Sequence, residues 1–471
     1  LNPDSFRNSL QTRRTGKPMI EVEQLTAQIA DLPVATPLGR VARIDRGLVH
    51  ISGLATDARL GDWIRISRHD GSVLQGEVVQ MDGETLTALT EAPPEGVALQ
   101  DRVSLAKPGQ IYPSSQWIGR IFDANGNPLD EKPIKRGSTL YPLRASPPPA
   151  AQRKALGPRL ETGLTVTNTL LPIVKGQRVG LFAGSGVGKS TMLAGLATQM
   201  HADVVVIAMI GERGREVRHF VDNVLGEEGL ERSVVVAATS DQSALLRRHC
   251  AWTAMAAAEY FRNRGKSVLF LADSVTRFAE AHREIAVASG EAPVLRGYPP
   301  STAHMITQLC ERAGTGTDEQ GDITAIFSVL VAGSDMDEPI ADILRGVLDG
   351  HIVLDRQIAE RGRFPAVDVL RSVSRSLPDA ATTSENQTLS EVRRLLGVYD
   401  RNAMMIRAGL YAMGSDPETD QAIALWPEME KFLAADDSET IAQNFRQLEL
   451  ILRRAKASLT GRSPGPSNSS S

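Results

Sequence analysis

The segment that most constrains the fold is residues 178–193, RVGLFAGSGVGKSTML. An apolar stretch leads into a glycine-rich turn, which is followed by Lys189 and an apolar-faced helical pattern. Glycines let the backbone curl so that its N–H groups face phosphate oxygens, and a helix N-terminus adds a favourable partial charge. The order of these parts predicts a strand, a phosphate-binding loop and a helix in an α/β fold. The first position of the strict loop pattern is Ala183 instead of glycine, a departure of one methyl group.

The residues of this loop have separate expected roles. We expect Lys189 to reach the β- and γ-phosphates of a nucleotide and the Ser190 hydroxyl to ligate magnesium. The residues expected at the nucleotide are Gly184, Ser185, Gly186, Val187, Gly188, Lys189, Ser190 and Thr191.

Two carboxylates follow later apolar strand candidates. Glu212 comes just after one of them, where α/β sheets bind ligands, and could orient the water that attacks a γ-phosphate. Asp273 ends the stretch SVLFLAD, an arrangement that holds magnesium, usually through water. Either segment alone is also typical of a charged loop or an ordinary strand end, but the phosphate loop before them favours catalysis. Arg277 could lie near the phosphates or pair with Glu280 or Glu284.

Three further residues are candidates on weaker patterns. Arg213 shares the turn of Glu212 and is a candidate catalytic residue. In residues 361–375, RGRFPAVDVLRSVSR, Phe364 either stacks on adenine or packs in a core. Arg375 ends this segment, and the pattern leaves open which subunit's nucleotide it meets.

The hydrophobic pattern divides the chain into successive regions. Helical spacing at 22–32 predicts an amphipathic helix behind a polar N-terminal extension at 1–18, and short β-rich pieces at 39–105 predict a barrel or sandwich. A later alternation of apolar strands with helices predicts a parallel sheet, and the helices after 378 are expected to break near 414–417 and at Pro427. The predicted regions are a tail and helix at 1–33, a β-barrel domain at 34–105, an α/β domain at 106–378, a C-terminal helical domain at 379–458 and a disordered tail at 459–471. The strand candidates of the sheet are Arg178–Ala183, Asp203–Ile210, Ser233–Ala238, Ser267–Ala272 and Ile323–Val331.

Composition excludes several classes of protein. The net charge of −4, from 52 basic and 56 acidic residues, argues against a general nucleic-acid binder. The 2 cysteines have no zinc or disulfide spacing, which favours the cytosol, and no apolar run approaches the roughly 18 residues of a membrane span.

A resemblance to a known family rests on a set of segments taken in chain order. They are AGSGVGKST, GERGRE, FLADSVTRFAEAHREIA, GYPPS, ERAG, GDITAIFSVLVAGSDMDEPIAD and FPAVDVLRSVSR. This set resembles the rotary-ATPase superfamily and, within it, the type III export ATPases. The segment GSDPETDQAI and the Ser-Gly-Val residues within the phosphate loop are most similar to those of the flagellar members. The resemblance covers about residues 25–455.

The resemblance implies a RecA-like P-loop NTPase core with an N-terminal β-barrel and a C-terminal helical domain, using ATP and Mg²⁺. It implies that Glu212 activates water, that Asp273 is the Walker B aspartate and that Arg375 is an arginine finger reaching a neighbour's ATP. It places Phe364 beside adenine. The implied assembly is a homohexamer that hydrolyses ATP in the cytoplasm, at the inner-membrane export apparatus, and unfolds export substrates or releases them from chaperones. The implied partners are a stator-like regulator at the N-terminal helix, a coiled-coil stalk facing 409–423, export gate membrane proteins and chaperone–substrate complexes.

Other functions remain open on the sequence. A virulence secretion (injectisome) ATPase has nearly the same motifs, and the catalytic subunit of a rotary ATP synthase would need a non-identical partner. A hexameric helicase is disfavoured by the acidic charge and by a barrel region without aromatic-basic stripes. A catalytically silent nucleotide-binding subunit is disfavoured because Lys189, Glu212 and Asp273 are all present.

Overall fold

The computed structural model describes residues 37–45, 47–106, 109–294, 296–331, 336–435 and 440–460. The predicted N-terminal helix and most of the predicted C-terminal tail, residues 461–471, lie outside the described residues. Within the described ranges, the search for a helix both long and apolar enough to cross a bilayer finds none.

The N-terminal part is a closed barrel of six strands in the order β1-β2-β5-β4-β3-β6. Alternate residues point inward, so that Val49 and Ile51 of β2 are fully buried in a core separate from that of the sheet. This confirms the predicted barrel. The strands are β1 Leu38–Asp45, β2 Leu48–Ser52, β3 Trp63–Ser67, β4 Val73–Asp82, β5 Thr85–Thr90 and β6 Arg102–Ala106.

The second part is a sheet in the order β17-β16-β10-β15-β13-β11-β12-β8, and β14 pairs with β15. The strands from β16 to β8 are parallel, as the βα alternation predicts, but β17 is antiparallel to β16 at the edge. A small ribbon of β7 and β9 lies apart. The strands are β7 Gln110–Ile111, β8 Arg120–Phe122, β9 Tyr141–Pro142, β10 Arg178–Ala183, β11 Val204–Glu212, β12 Ser233–Thr239, β13 Ser267–Asp273, β14 Gly314–Thr315, β15 Asp322–Leu330, β16 Gly350–Leu354 and β17 Val367–Ser374.

Helices cover both faces of this sheet, which explains its continuously apolar strands. In β11, Val205 and Ile207 belong to one core cluster, whereas Val206 and Ala208 belong to the other. The α-helices are α1 Thr165–Asn168, α2 Lys189–Gln199, α3 Gly214–His219, α4 Gly226–Glu231, α5 Ala244–Arg262, α6 Val275–Ala288, α7 Ser301–Arg312, α8 Pro339–Val347, α9 Arg356–Glu360, α10 Thr383–Arg407, α11 Pro417–Ala434 and α12 Ile441–Thr460. A π-helical segment, Phe220–Leu225, joins α3 to α4.

The C-terminal helices differ from the prediction at two points. The expected break at Pro427 is wrong, because α11 continues through it from Pro417 to Ala434. Proline removes one helical N–H bond, but Leu425 and Met429 on either side of it are buried in the core and keep the helix in place. The last helix reaches Thr460, so residues 459–460 are helical and not part of a tail.

A buried charge cluster joins the barrel to the sheet domain. Glu77 of β4 accepts hydrogen bonds from Arg144 at 2.5 Å, Arg248 at 2.7 Å and His249 at 3.1 Å. Burial raises the pKa of Glu77, but Arg248, His249 and Arg144 together outweigh it and hold the pKa well below its usual range. The carboxylate is therefore charged, and it ties the barrel to α5.

Candidate active site

The predicted phosphate loop connects β10 to α2 and borders a cleft of about 1270 Å³ at the carboxyl ends of the parallel strands. Gly186 and Gly188 have φ of 77° and 90°, in the left-handed region that glycine adopts without strain. Lys189 begins α2, so the loop presents the helix N-terminus to the cleft. Of the loop residues, Val187 is buried beneath the turn and is not among the residues that line the cleft.

Lys189 lies between the two predicted carboxylates. Its ammonium contacts Oδ1 of Asp273 and is 3.5 Å from Oε1 of Glu212. Asp273 also accepts a hydrogen bond from the Ser328 hydroxyl at 2.7 Å. The three charged side chains are at most 16% exposed, so their interactions are weakly screened by solvent. The structure thus brings together three residues that are distant in the sequence.

The electrostatics of Glu212 suit a general base. Burial raises the pKa of Glu212, Lys189 opposes the rise, and the nearby Asp273 adds to it. A carboxylate whose pKa is raised toward the working pH accepts a proton from water more readily than an ordinary one.

Arginines also line the cleft. Arg277 donates to Glu280 at 2.8 Å and also borders the cleft. A pairing with Glu280 and a position near the phosphates are therefore compatible with each other. Glu284 instead accepts from Arg247 at 2.7 Å. Arg213 also borders the cleft and pairs with Glu216 at 3.0 Å.

Sequence reasoning missed several residues that line the cleft. Ser240 directly follows the end of β12, so the strand-end rule that found Glu212 could have found it, whereas Arg247 lies in the first turn of α5. Arg296, Tyr298 and Glu338 lie in the cleft on segments without such a signal.

Phe364 lies at the cleft and not in a core. Its side chain is 50% exposed, and a Cβ placed on Gly188 would lie 3.3 Å from its ring. The core interpretation is therefore wrong, and the ring is available to a base held above the phosphate loop.

Arg375 lies toward the opposite end of the strands from its own phosphate loop. Because β17 is antiparallel, its first residue Val367 pairs with Leu354 near the loop, whereas Ser374 pairs with Gly350 at the other end. β17 bulges between them, because Asp368 pairs with Val353 and Val373 with His351, so its two ends are separated by the length of β16, about 13 Å. The guanidinium donates to the carbonyls of Leu348 at 3.0 Å and Arg345 at 2.9 Å.

The site fits magnesium by the chemistry of its donors. Ser190 borders the cleft beside Lys189, and the described hydrogen bonds to the Asp273 side chain both fall on Oδ1. A hydroxyl and a carboxylate are hard oxygen ligands, which Mg²⁺ prefers in combination with phosphates and water. Across the described ranges the search for a group of three or more His, Cys, Asp or Glu that could hold a metal ion finds none.

Two family models match this chain, and the first of them covers the residues that line the cleft. Residues 163–374 match the ATP synthase alpha/beta family, nucleotide-binding domain, and residues 381–449 match the T3SS EscN ATPase C-terminal domain. A flagellum-specific ATP synthase of Caulobacter vibrioides is 42% identical over 441 residues, covering 92% of this chain and 99% of that protein. The chain belongs to the flagellum-specific ATP synthase family. Another member, from Bacillus subtilis, is 43% identical over 404 residues, or 85% of this chain and 91% of its own.

Solved structures agree with this family. The assembled ATPase EscN from the type III secretion system of enteropathogenic E. coli matches with a TM-score of 0.82 and 35% identity, over 88% of this chain and 100% of that one. EscN in complex with its central stalk EscO matches with a TM-score of 0.80 and 34% identity, over the same shares. These comparisons confirm the predicted RecA-like fold, the type III export ATPase family and the ATPase class.

Proposed function

We propose that this chain hydrolyses ATP with Mg²⁺ to energise type III protein export during flagellum assembly, by unfolding export substrates or releasing them from chaperones at the export gate. The observation that carries the proposal is the cleft beside the phosphate loop, which Lys189 and Glu212 line and where Lys189 also contacts the buried Asp273. Family members of about 40% identity that bear the flagellar name support the direction of the activity toward flagellar export.

Each residue of the cleft has a role in this proposal. The amides of Gly184–Thr191 and the Lys189 ammonium bind the phosphates, while Ser190 and Asp273 hold Mg²⁺. The metal, when bound, neutralises charge on the β- and γ-phosphates. Glu212 accepts a proton from the attacking water.

The remaining roles concern the rest of the nucleotide. Arg213 and Arg277 lie where they can face the γ-phosphate, since both border the cleft. Phe364 packs against the adenine ring.

Arg375 acts on the nucleotide of the neighbouring subunit in a homohexamer. Its distance from its own phosphate loop supports this, because a strand's length separates the two along the sheet. The assembled state named for EscN supports a ring of such chains.

The other proposed partners follow from the same family. A coiled-coil stalk would face residues 409–423, where Leu410 and Met413 are 75% and 51% exposed, and the EscN–EscO complex supports such a stalk. We further propose a stator-like regulator at the N-terminal region, contacts with gate membrane proteins and chaperone–substrate complexes, and a cytoplasmic place at the inner membrane.

The first test is Mg²⁺-dependent ATP hydrolysis by the purified chain as a function of its own concentration. Specific activity should rise with concentration, because identical chains build the site between them. Negligible activity at every concentration, with intact nucleotide binding, would contradict the proposal and favour the subunit of a rotary ATP synthase that needs a different partner.

An injectisome ATPase is the second candidate, because the EscN structures match almost the whole fold. Expression in a flagellar export mutant separates the two: restored motility supports the flagellar role, and failure in the presence of normal ATPase activity supports the injectisome.

A further inference from the structure

Ser328 is a fully buried serine on the strand that separates the two main motifs. Its strand, β15, pairs with β10, which leads into the phosphate loop, and with β13, which ends at Asp273. Leu181 of β10 lies opposite Ser328, and Ala272 of β13 lies opposite Phe327. A buried hydroxyl is costly unless it is paired, and this one donates to Oδ1 of Asp273 at 2.7 Å.

Asp273 is held on one of its two oxygens. The Lys189 ammonium and the Ser328 hydroxyl both contact Oδ1. Within the described part of the chain, no hydrogen bond to Oδ2 is present. This arrangement fixes the carboxylate and leaves Oδ2 for another ligand.

The two side chains that contact Oδ1 differ in conformational freedom. The Lys189 ammonium is at the end of a flexible four-carbon side chain and binds the phosphates when a nucleotide is present. Its contact with Asp273 then weakens. Ser328 belongs to a central strand paired on both sides, and its hydroxyl has no second described partner. Its hydrogen bond therefore persists when the lysine turns away.

We propose that Ser328 is a positioning residue for the metal site: its hydroxyl keeps Oδ1 of Asp273 engaged so that Oδ2 faces Mg²⁺, directly or through water, while Lys189 binds the phosphates. The inference rests on the proposed function for the identity of the nucleotide. It assigns a role in catalysis to a residue that touches neither substrate nor metal.

The test titrates Mg²⁺ against the full chain with a fluorescent adenine nucleotide, and repeats the binding in EDTA. Ser328→Ala should raise the Mg²⁺ concentration for half-maximal binding by about 10- to 150-fold, as expected for a lost hydrogen bond to a charged group. Binding in EDTA should be unchanged, because the metal is then absent. Ser328→Thr retains the hydroxyl and should restore the parent Mg²⁺ requirement.

Ser233→Ala is the matched control. Ser233 is also fully buried in this sheet, but it begins β12 and donates to the Gly229 carbonyl at 2.6 Å, at the edge away from the cleft. It should leave the Mg²⁺ requirement at the parent value.

Two outcomes would overturn the inference. An unchanged Mg²⁺ requirement in Ser328→Ala, or an equal loss of binding with and without EDTA, would make the hydroxyl a structural group only. If Ser328→Ala fails to fold, Ser328→Thr and Ser328→Val provide the same comparison, because they differ in a hydroxyl against a methyl group. A parent chain that binds nucleotide with Mg²⁺ but hydrolyses none would contradict the proposed function. The Mg²⁺ titration would still test the role of Ser328, because it measures binding and not hydrolysis.

Discussion

Mixed rings give a quantitative test of the place of Arg375. Arg375→Ala keeps an intact cleft but removes the arginine, a change worth about 10³- to 10⁵-fold in rate for an arginine finger. Lys189→Ala removes the phosphate lysine but keeps Arg375. Each variant alone should be nearly inactive. In an equal, randomly assembled mixture of a head-to-tail ring, about one quarter of the interfaces join an intact cleft to an intact arginine. The mixture should therefore recover about one quarter of the parent rate if the sites act independently.

The assay is phosphate release at a chain concentration where the parent's specific activity has levelled off. The control mixes Lys189→Ala with Glu212→Gln, whose defects both lie in the same cleft, so that no interface is complete. Recovery above this control requires the cleft of one chain and the arginine of another. No recovery, with both variants still binding each other, would refute the trans position of Arg375, because an arginine that served its own cleft could not be complemented.

Other consequences can be measured separately. Glu212→Gln should lower kcat by about 10²- to 10⁴-fold with nucleotide binding retained. In the parent the acid limb of kcat should lie above the ordinary glutamate range, since burial raises the pKa of Glu212 and the base works only when deprotonated; a limb at the ordinary value would contradict this. Phe364→Ala should raise KM for ATP more than it lowers kcat, and Phe364→Tyr should not, as steady-state kinetics can show. Glu77→Gln leaves the buried charge of Arg248 without its partner and should lower the free energy of unfolding by about 3–5 kcal/mol in thermal denaturation, whereas the exposed Glu84→Gln should not.

The features that were predicted correctly depend on short-range sequence patterns. The phosphate loop, Glu212 and Asp273 could be found because each follows an apolar strand, and parallel strands bring their carboxyl ends to one edge of the sheet. The barrel could be found because alternation of inward and outward residues is a short-range signal.

What escaped prediction depends on contacts between distant segments. The direction of β17 cannot be predicted from its sequence, because an apolar edge strand has the same hydrophobic pattern whether it is parallel or antiparallel to its neighbour. The pairing of Ser328 with Asp273 requires the register of β13 against β15, and the tie from Glu77 to Arg248 requires the docking of barrel on sheet. The local pattern predicts a break at Pro427 because a proline destabilises a helix locally, whereas the burial that offsets this effect depends on distant segments.

The hydrogen bonds of Arg375 are compatible with its proposed role at the nucleotide of a neighbouring subunit. Its guanidinium is held by two carbonyls at the C-terminal end of α8, where the helix dipole favours a cation, while Pro339 and Ile340 at the other end of α8 line the chain's own cleft. Because Arg375 is exposed, water replaces the lost carbonyls, and releasing these bonds costs about 1–3 kcal/mol in total. An arginine finger that accelerates hydrolysis by about 10³- to 10⁵-fold stabilises the transition state by about 4–7 kcal/mol. The second quantity exceeds the first, so the carbonyls can orient the side chain in the unpaired chain without trapping it there. One short helix thus links the nucleotide cleft of a subunit to the arginine that it would present to the next.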